Sequence, residues 1–203
     1  MKADQTTGIF PFDKYEEIAK ISDKTTYIPV YLRIPEPSVD PADIYAAISH
    51  TRGFLLESME GIPKRAVRSI IGYNPLAMLS ISDTCTISGQ DASVFDALLS
   101  NQDVRSPTDI IRAVLSNISP YSPDCSTFTG GMAGYCRYDL VRDITGGMVQ
   151  AAGEEGPVIR FMIPGDMIIF DHVLHSCLLI AGTITGPGDD LSAIYSDAVK
   201  RIL

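Results

Sequence analysis

Residues Gly53 to Pro75 read GFLLESMEGIPKRAVRSIIGYNP. Phe54, Leu55 and Leu56 form an apolar run that ends at Glu57 and Ser58, and Ser69 to Ile71 form a second run that ends at Gly72 and Pro75. Short apolar runs bounded by turn residues predict two short strands, here joined by a basic connection. The strand ends then carry polar groups. Glu57 can take up an ammonium, Ser58 can donate or accept a hydrogen bond, and Arg68 offers a guanidinium fork that suits a carboxylate. These are the parts of an amino-acid pocket, although the same residue types also fit a plain strand end with Arg68 in solvent.

On the N-terminal side, Phe12, Tyr15, Ile18 and Ala19 recur at helical spacing behind Asp13 and predict an amphipathic helix over 12–21. A strand over 26–34 follows, and Pro29 places it near a sheet edge. Asp40-Pro41-Ala42-Asp43 supplies a cap, an N1 proline and a first-turn acid, which predicts a helix to about residue 51 with His50 in its last turn. Beyond Pro75, the segments 77–82 and 84–88 read as a hairpin turning near Asp83. Helices are expected over 93–100 and from Ser106-Pro107-Thr108-Asp109 onward, both covering a sheet. Residues 120–127 read as a surface loop and 145–157 as a flexible connection. Strands are predicted over 158–163, 167–171 and 176–183, and a last helix starts at Asp189 or Asp190 with Leu191, Ile194, Tyr195, Ala198 and Ile202 on one face.

Composition narrows the function classes. The chain has 203 residues, 45% of them hydrophobic, and a net charge of -9. That length suits one domain, and the negative charge argues against a nucleic-acid surface. No apolar window is long enough for a membrane span and the N-terminus lacks a signal pattern, so a cytoplasmic protein is expected. Cys85, Cys125, Cys136 and Cys177 are scattered without CxxC spacing and read as reduced thiols. Gly130, Gly131 and Gly134 have neither GK[ST] nor GxGxxG register, so they are expected to admit a close backbone approach, with Tyr135, Tyr138 and Asp139 starting a short helix through Ile144. Tyr138, Asp139 and Arg142 form a local cluster of mainly structural character. Asp171, His172 and His175 lack the GxSxG of a triad nucleophile and the ligand count of a zinc site, and read as a hydrogen-bonded turn.

Three passages together carry a resemblance. They are Phe54-Leu-Leu-Glu-Ser58 with Arg68-Ser-Ile-Ile-Gly-Tyr-Asn-Pro75, then Phe128-Thr-Gly-Gly-Met-Ala-Gly-Tyr-Cys-Arg-Tyr-Asp-Leu-Val-Arg142, then Pro164-Gly-Asp-Met-Ile-Ile-Phe-Asp-His172. Their text and order resemble the N-terminal region of anthranilate synthase component I, with aminodeoxychorismate synthase component I as a close relative. The resemblance implies an α+β fold of antiparallel, orthogonal β-sheets flanked by helices. It implies that residues 1–203 are a single regulatory domain with the feedback site for L-tryptophan, and that Glu57, Ser58 and Arg68 contribute to that site. Position 68, where a tyrosine or a basic residue is common in that family, is an arginine here. The chorismate-binding catalytic domain, with its Mg2+, is expected to lie outside this chain, which by itself would hold no catalytic residue and no cofactor and be inactive. The implied partners are that C-terminal domain and a glutamine amidotransferase subunit. Two alternatives stay open: the folate-pathway relative, and a non-catalytic module that docks the amidotransferase.

Overall fold

The computed structural model describes residues 8–21, 25–48, 52–60, 65–82, 84–100, 106–117, 119–120, 130–140 and 159–203. In chain order the elements are α1 (Phe12–Ile21), β1 (Thr26–Pro35), α2 (Pro41–Ile48), β2 (Phe54–Glu60), β3 (Arg65–Ile81), β4 (Cys85–Ser88), α3 (Ala92–Ser100), α4 (Pro107–Asn117), β5 (Ser119–Pro120), β6 (Ala133–Cys136), a 3-10 turn (Tyr138–Leu140), β7 (Ile159–Asp171), β8 (Ser176–Thr185) and α5 (Leu191–Ile202). The strands form one sheet in the order β2-β3-β7-β8-β1-β5, with β4 as a further partner of β3 and β6 as a further partner of β7. All pairings are antiparallel except the two-residue contact of β1 with β5. The architecture is α+β, an antiparallel sheet flanked by helices, as expected.

Two expectations need correction. The run at Ser69 does not stop at Gly72 and Pro75, and Pro164-Gly165-Asp166 does not divide two strands. Instead β3 is 17 residues long, β7 is 13, and they pair from Arg68↔Asp171 to Ile81↔Ile159. Pro75 lies opposite Pro164, and neither has an N–H to offer. In an antiparallel ladder such a pair fits a position where no inter-strand N–H bond is required, so the prolines are tolerated mid-strand. A register shift between Pro75 and Ala77 absorbs Leu76, and Asn74 takes a left-handed φ of 46° beside it. Gly165 lets the backbones meet here, since a Cβ on it would fall 2.3 Å from the Asn74 carbonyl oxygen.

Period-2 alternation along β7 assigns the helices to two faces. Ile168 and Phe170 point to the side where Ile71, Cys177 and Leu179 pack under Ile44, Tyr45 and Ile48 of α2. Through the β7–β8–β1 register this side also carries Ile28, Val30 and Ala181, which meet Tyr15 of α1 and Ala198 of α5. Ile163, on the opposite face, packs with Ala77 and Leu79 against Phe95 of α3 and Val114 of α4. Helices on both faces explain why β7 is buried without alternation over residues 162–166.

Cap chemistry read from sequence holds. Asp40 Oδ1 accepts from the Ala42 N–H at 2.8 Å, and Ser106 Oγ accepts from the Asp109 N–H at 3.2 Å. Asp190 caps α5 by accepting from the Ala193 N–H at 3.0 Å, while Asp189 holds the preceding turn through the Gly186 N–H. Asp190→Ala is expected to lower stability by about 1 kcal/mol, read as a lower urea midpoint at unchanged slope. Inside the sheet, Asp166 is 3% exposed and accepts from Arg201 of α5 at 2.6 Å and from Asn74 at 2.7 Å. Arg201 also donates to the Gly182 carbonyl at 3.0 Å, so one ion pair ties the last helix to the β3 bulge.

Candidate functional site

The β2–β3 hairpin brings the three expected site residues together. Ser58 Oγ accepts from the Arg68 N–H at 3.1 Å and occupies the place where the β2 register shifts between Glu57 and Met59. Ser58 therefore supplies part of the ladder that the bulge interrupts. Glu57 lies opposite Ser69 and accepts its hydroxyl proton at 2.8 Å through Oε1. Arg68 reaches Asp171 through Nε at 3.5 Å. Asp171 is held below the usual carboxylate range, first by the Leu174 N–H and then by Arg68. Successive residues of a strand face opposite ways, so Glu57, on the Ser69 side, and Arg68 leave the sheet on opposite faces. β2 ends the strand order, and a ligand touching both charges has to lie across that edge.

Three side chains that sequence reasoning did not select extend the site. Ser69, fully buried, lies with its Oγ 2.9 Å from His172 Nε2, and His172 Nδ1 meets Glu36 Oε1 at 2.5 Å. His175 Nδ1 meets the other Glu36 oxygen at 3.2 Å. Glu36 is held below the ordinary carboxylate range, first by the His172 hydrogen bond and further by His175. The imidazole of His172 stacks on Phe170, with centroids 6.0 Å apart. The order Ser69, His172, Glu36 mimics a hydrolytic triad, but Ser69 is sealed in a regular strand and bonded to Glu57, so it cannot act as a nucleophile. The reading of 171–175 as a hydrogen-bonded turn is correct: Asp171 Oδ1 accepts from the Val173 and Leu174 N–H groups. Pairing Glu57 with Ser69 across the hairpin is the one local signal that leads to this chain. Glu36, 136 residues from His172, gives none.

A cavity of about 570 Å3 opens beside the same strand. Phe54 and Leu56 of β2 line it together with Ala133, Gly134 and Tyr135 of β6, and Arg52 and Arg160 are also among its lining residues. Leu56 is 53% exposed at its mouth, and the Phe54 ring lies against Gly72, where a Cβ would come within 2.4 Å. Gly134 performs the close approach expected of it, because a Cβ there would fall 2.0 Å from the Arg160 carbonyl oxygen. By alternation Arg68 shares the face of Phe54 and Leu56, and Glu57 does not. Glu57, Ser58 and Arg68 lie outside the cavity lining. The volume lies within the usual range for small-molecule sites, and apolar walls with arginine among the lining residues suit an aromatic or aliphatic carboxylate.

Other expectations resolve as follows. Tyr138 is 80% exposed and begins a 3-10 turn, and the rest of the expected helix, with Arg142 and Ile144, lies outside the described residues. So do His50, Asp83, Cys125, the segment 121–127 of the expected loop and the expected connection 145–157. Cys85, Cys136 and Cys177 are free thiols, and burial pushes Cys177 up to about 11. Among the described residues no group of three His, Cys, Asp or Glu is arranged to hold a metal, and no helix is long and apolar enough to cross a membrane.

No family model matches the chain. Anthranilate synthase component 1 of Acinetobacter calcoaceticus is 32% identical over 162 residues, which cover 75% of this chain and 32% of that protein. The component 1 of Acetivibrio thermocellus is 26% identical over 192 residues, covering 92% of this chain and 37% of that protein. The component 1 of Haloferax volcanii is 26% identical over 194 residues, with 81% and 36% covered. Among solved structures, anthranilate synthase component I from Streptococcus pneumoniae TIGR4 matches 82% of this chain and 35% of its own at 20% identity, with a TM-score of 0.37. The chain thus spans about a third of the length of the curated relatives it matches. Over most of its length, then, this chain is similar in sequence to anthranilate synthase component I.

Proposed function

We propose that this chain is the regulatory part of an anthranilate synthase component I, in which an effector amino acid, L-tryptophan, lies across the edge of β2. In that reading the complete enzyme converts chorismate and an ammonia source to anthranilate and pyruvate, works with a glutamine amidotransferase subunit, and keeps its Mg2+ and catalytic groups in a separate domain. The observation that carries it is convergence: the FLLES passage and the GGMAGY passage, far apart in sequence, meet at one cavity of about 570 Å3. The indole would occupy the apolar walls of Phe54 and Leu56. The ammonium would meet the Glu57 carboxylate, and the polar edge at Ser58 and Arg68 would complete the contact.

Feedback inhibition of the complete enzyme tests this. Glu57→Gln is expected to raise the half-inhibitory tryptophan concentration about tenfold or more, since a charged hydrogen bond contributes about 1.5–3 kcal/mol. Ser58→Ala and Arg68→Ala should also raise it, with kcat in the absence of tryptophan unchanged. Inhibition unaltered by all three substitutions would overturn the site.

A further inference from the structure

The Ser69 hydroxyl has one proton and two neighbours at bonding distance, Glu57 Oε1 at 2.8 Å and His172 Nε2 at 2.9 Å. It can donate to only one of them. Glu36 is an acceptor and sits 2.5 Å from Nδ1, so that nitrogen carries its proton toward Glu36. If Nε2 is also protonated, it donates to Ser69 and the hydroxyl proton goes to Glu57. If Nε2 is bare, it becomes an acceptor and draws the hydroxyl proton away from Glu57.

We propose that Ser69 and His172 are positioning residues for Glu57, fixing its carboxylate for an ammonium-bearing ligand only while the imidazole is protonated. The inference rests on the reading of Glu57 as a ligand contact and adds a regulation to it. Burial supports the role: Ser69 is 0% exposed, so its hydroxyl has no water to turn to, whereas Glu57 is exposed and has a free choice of rotamer without an anchor. The groups around the imidazole are Glu36 following β1, Glu57 on β2 through Ser69, Asp171 on β7 with its partner Arg68 on β3, His175 in the turn, and Cys177 on β8, which senses Glu36. α2 contributes the apolar Ile44, Tyr45 and Ile48 to the same face.

The test uses the complete enzyme and two probes, L-tryptophan and indole-3-propionate, which keeps the indole and the carboxylate but lacks the ammonium. Ser69→Ala and His172→Phe are expected to weaken tryptophan five- to tenfold and to leave indole-3-propionate within twofold. His172→Gln retains a donor toward Ser69 and should recover most of the tryptophan affinity. Wild-type affinity for tryptophan should fall as pH rises, because loss of the Nε2 proton turns the Ser69 hydroxyl away from Glu57, and the His172→Phe profile should be flat. If Ser69→Ala does not fold, the His172 pair and the pH profile decide the matter alone. Equal loss for both probes, or a wild-type profile without slope, would overturn the positioning role. A Glu57→Gln enzyme that binds tryptophan normally would instead remove the underlying site, and the two failures are therefore separable.

Discussion

Asp166→Ala is expected to cost about 3–5 kcal/mol, the loss that follows when one partner of a buried ion pair is removed. Burial pushes the Asp166 carboxyl up, and Arg201, with Asn74, pulls it back. Without the carboxylate, Arg201 keeps its contacts to the carbonyls of Gly165 and Gly182 but has no buried counter-charge. Asn74 loses its anchor as well, in a left-handed backbone at the bulge. Urea unfolding of the variant, and of Asp166→Leu combined with Arg201→Leu, measures the effect. The double variant should recover part of the loss, because apolar replacement of a whole buried pair is often neutral or better. A cost below about 1 kcal/mol for Asp166→Ala would place the pair among solvated surface bridges.

Phe95→Ala should be as damaging, at about 3–5 kcal/mol for a fully buried aromatic. Phe95 is 0% exposed and joins α3 to Leu76, Ala77 and Leu79 of β3 and to Val114 of α4. Its removal leaves a cavity between the two helices and the sheet, bordered by Leu98, Leu99 and Met132. Native-state hydrogen exchange should locate the change, with faster exchange in β4 and α3 and unaltered protection in α1 and α5, which belong to the cluster around Tyr15. Uniform acceleration across both clusters would show that the two sides of the sheet unfold as one unit.

Sequence revealed what local chemistry decides. The limits of α1 and the starts of α2, α4 and α5 follow from caps and apolar stripes that lie within a turn of the helix end, and Gly134 was readable as a close approach. The continuity of β3 and β7 was hidden because it depends on two strands at once. Pro75 and Pro164 each read as a stop, and only their opposition in the ladder makes them compatible with a strand. The site divided in the same way. Glu57, Ser58 and Arg68 are neighbours through a hairpin, so their proximity was legible. The opposite facing of Glu57 and Arg68 depends on strand register, and the Glu36–His172 contact depends on the β1–β8 pairing that brings their two ends together.

The outer flank of β1 has one more consequence, for what happens at high concentration. Along the described residues β5 covers only Thr26 and Tyr27, and a bridge from Ile9 covers Leu32. Between them sits Pro29, which offers no amide proton to an incoming chain, followed at Arg33 by a charge. A foreign strand cannot zip along this border without losing bonds and burying a cation, so the border resists accretion into fibrillar aggregates.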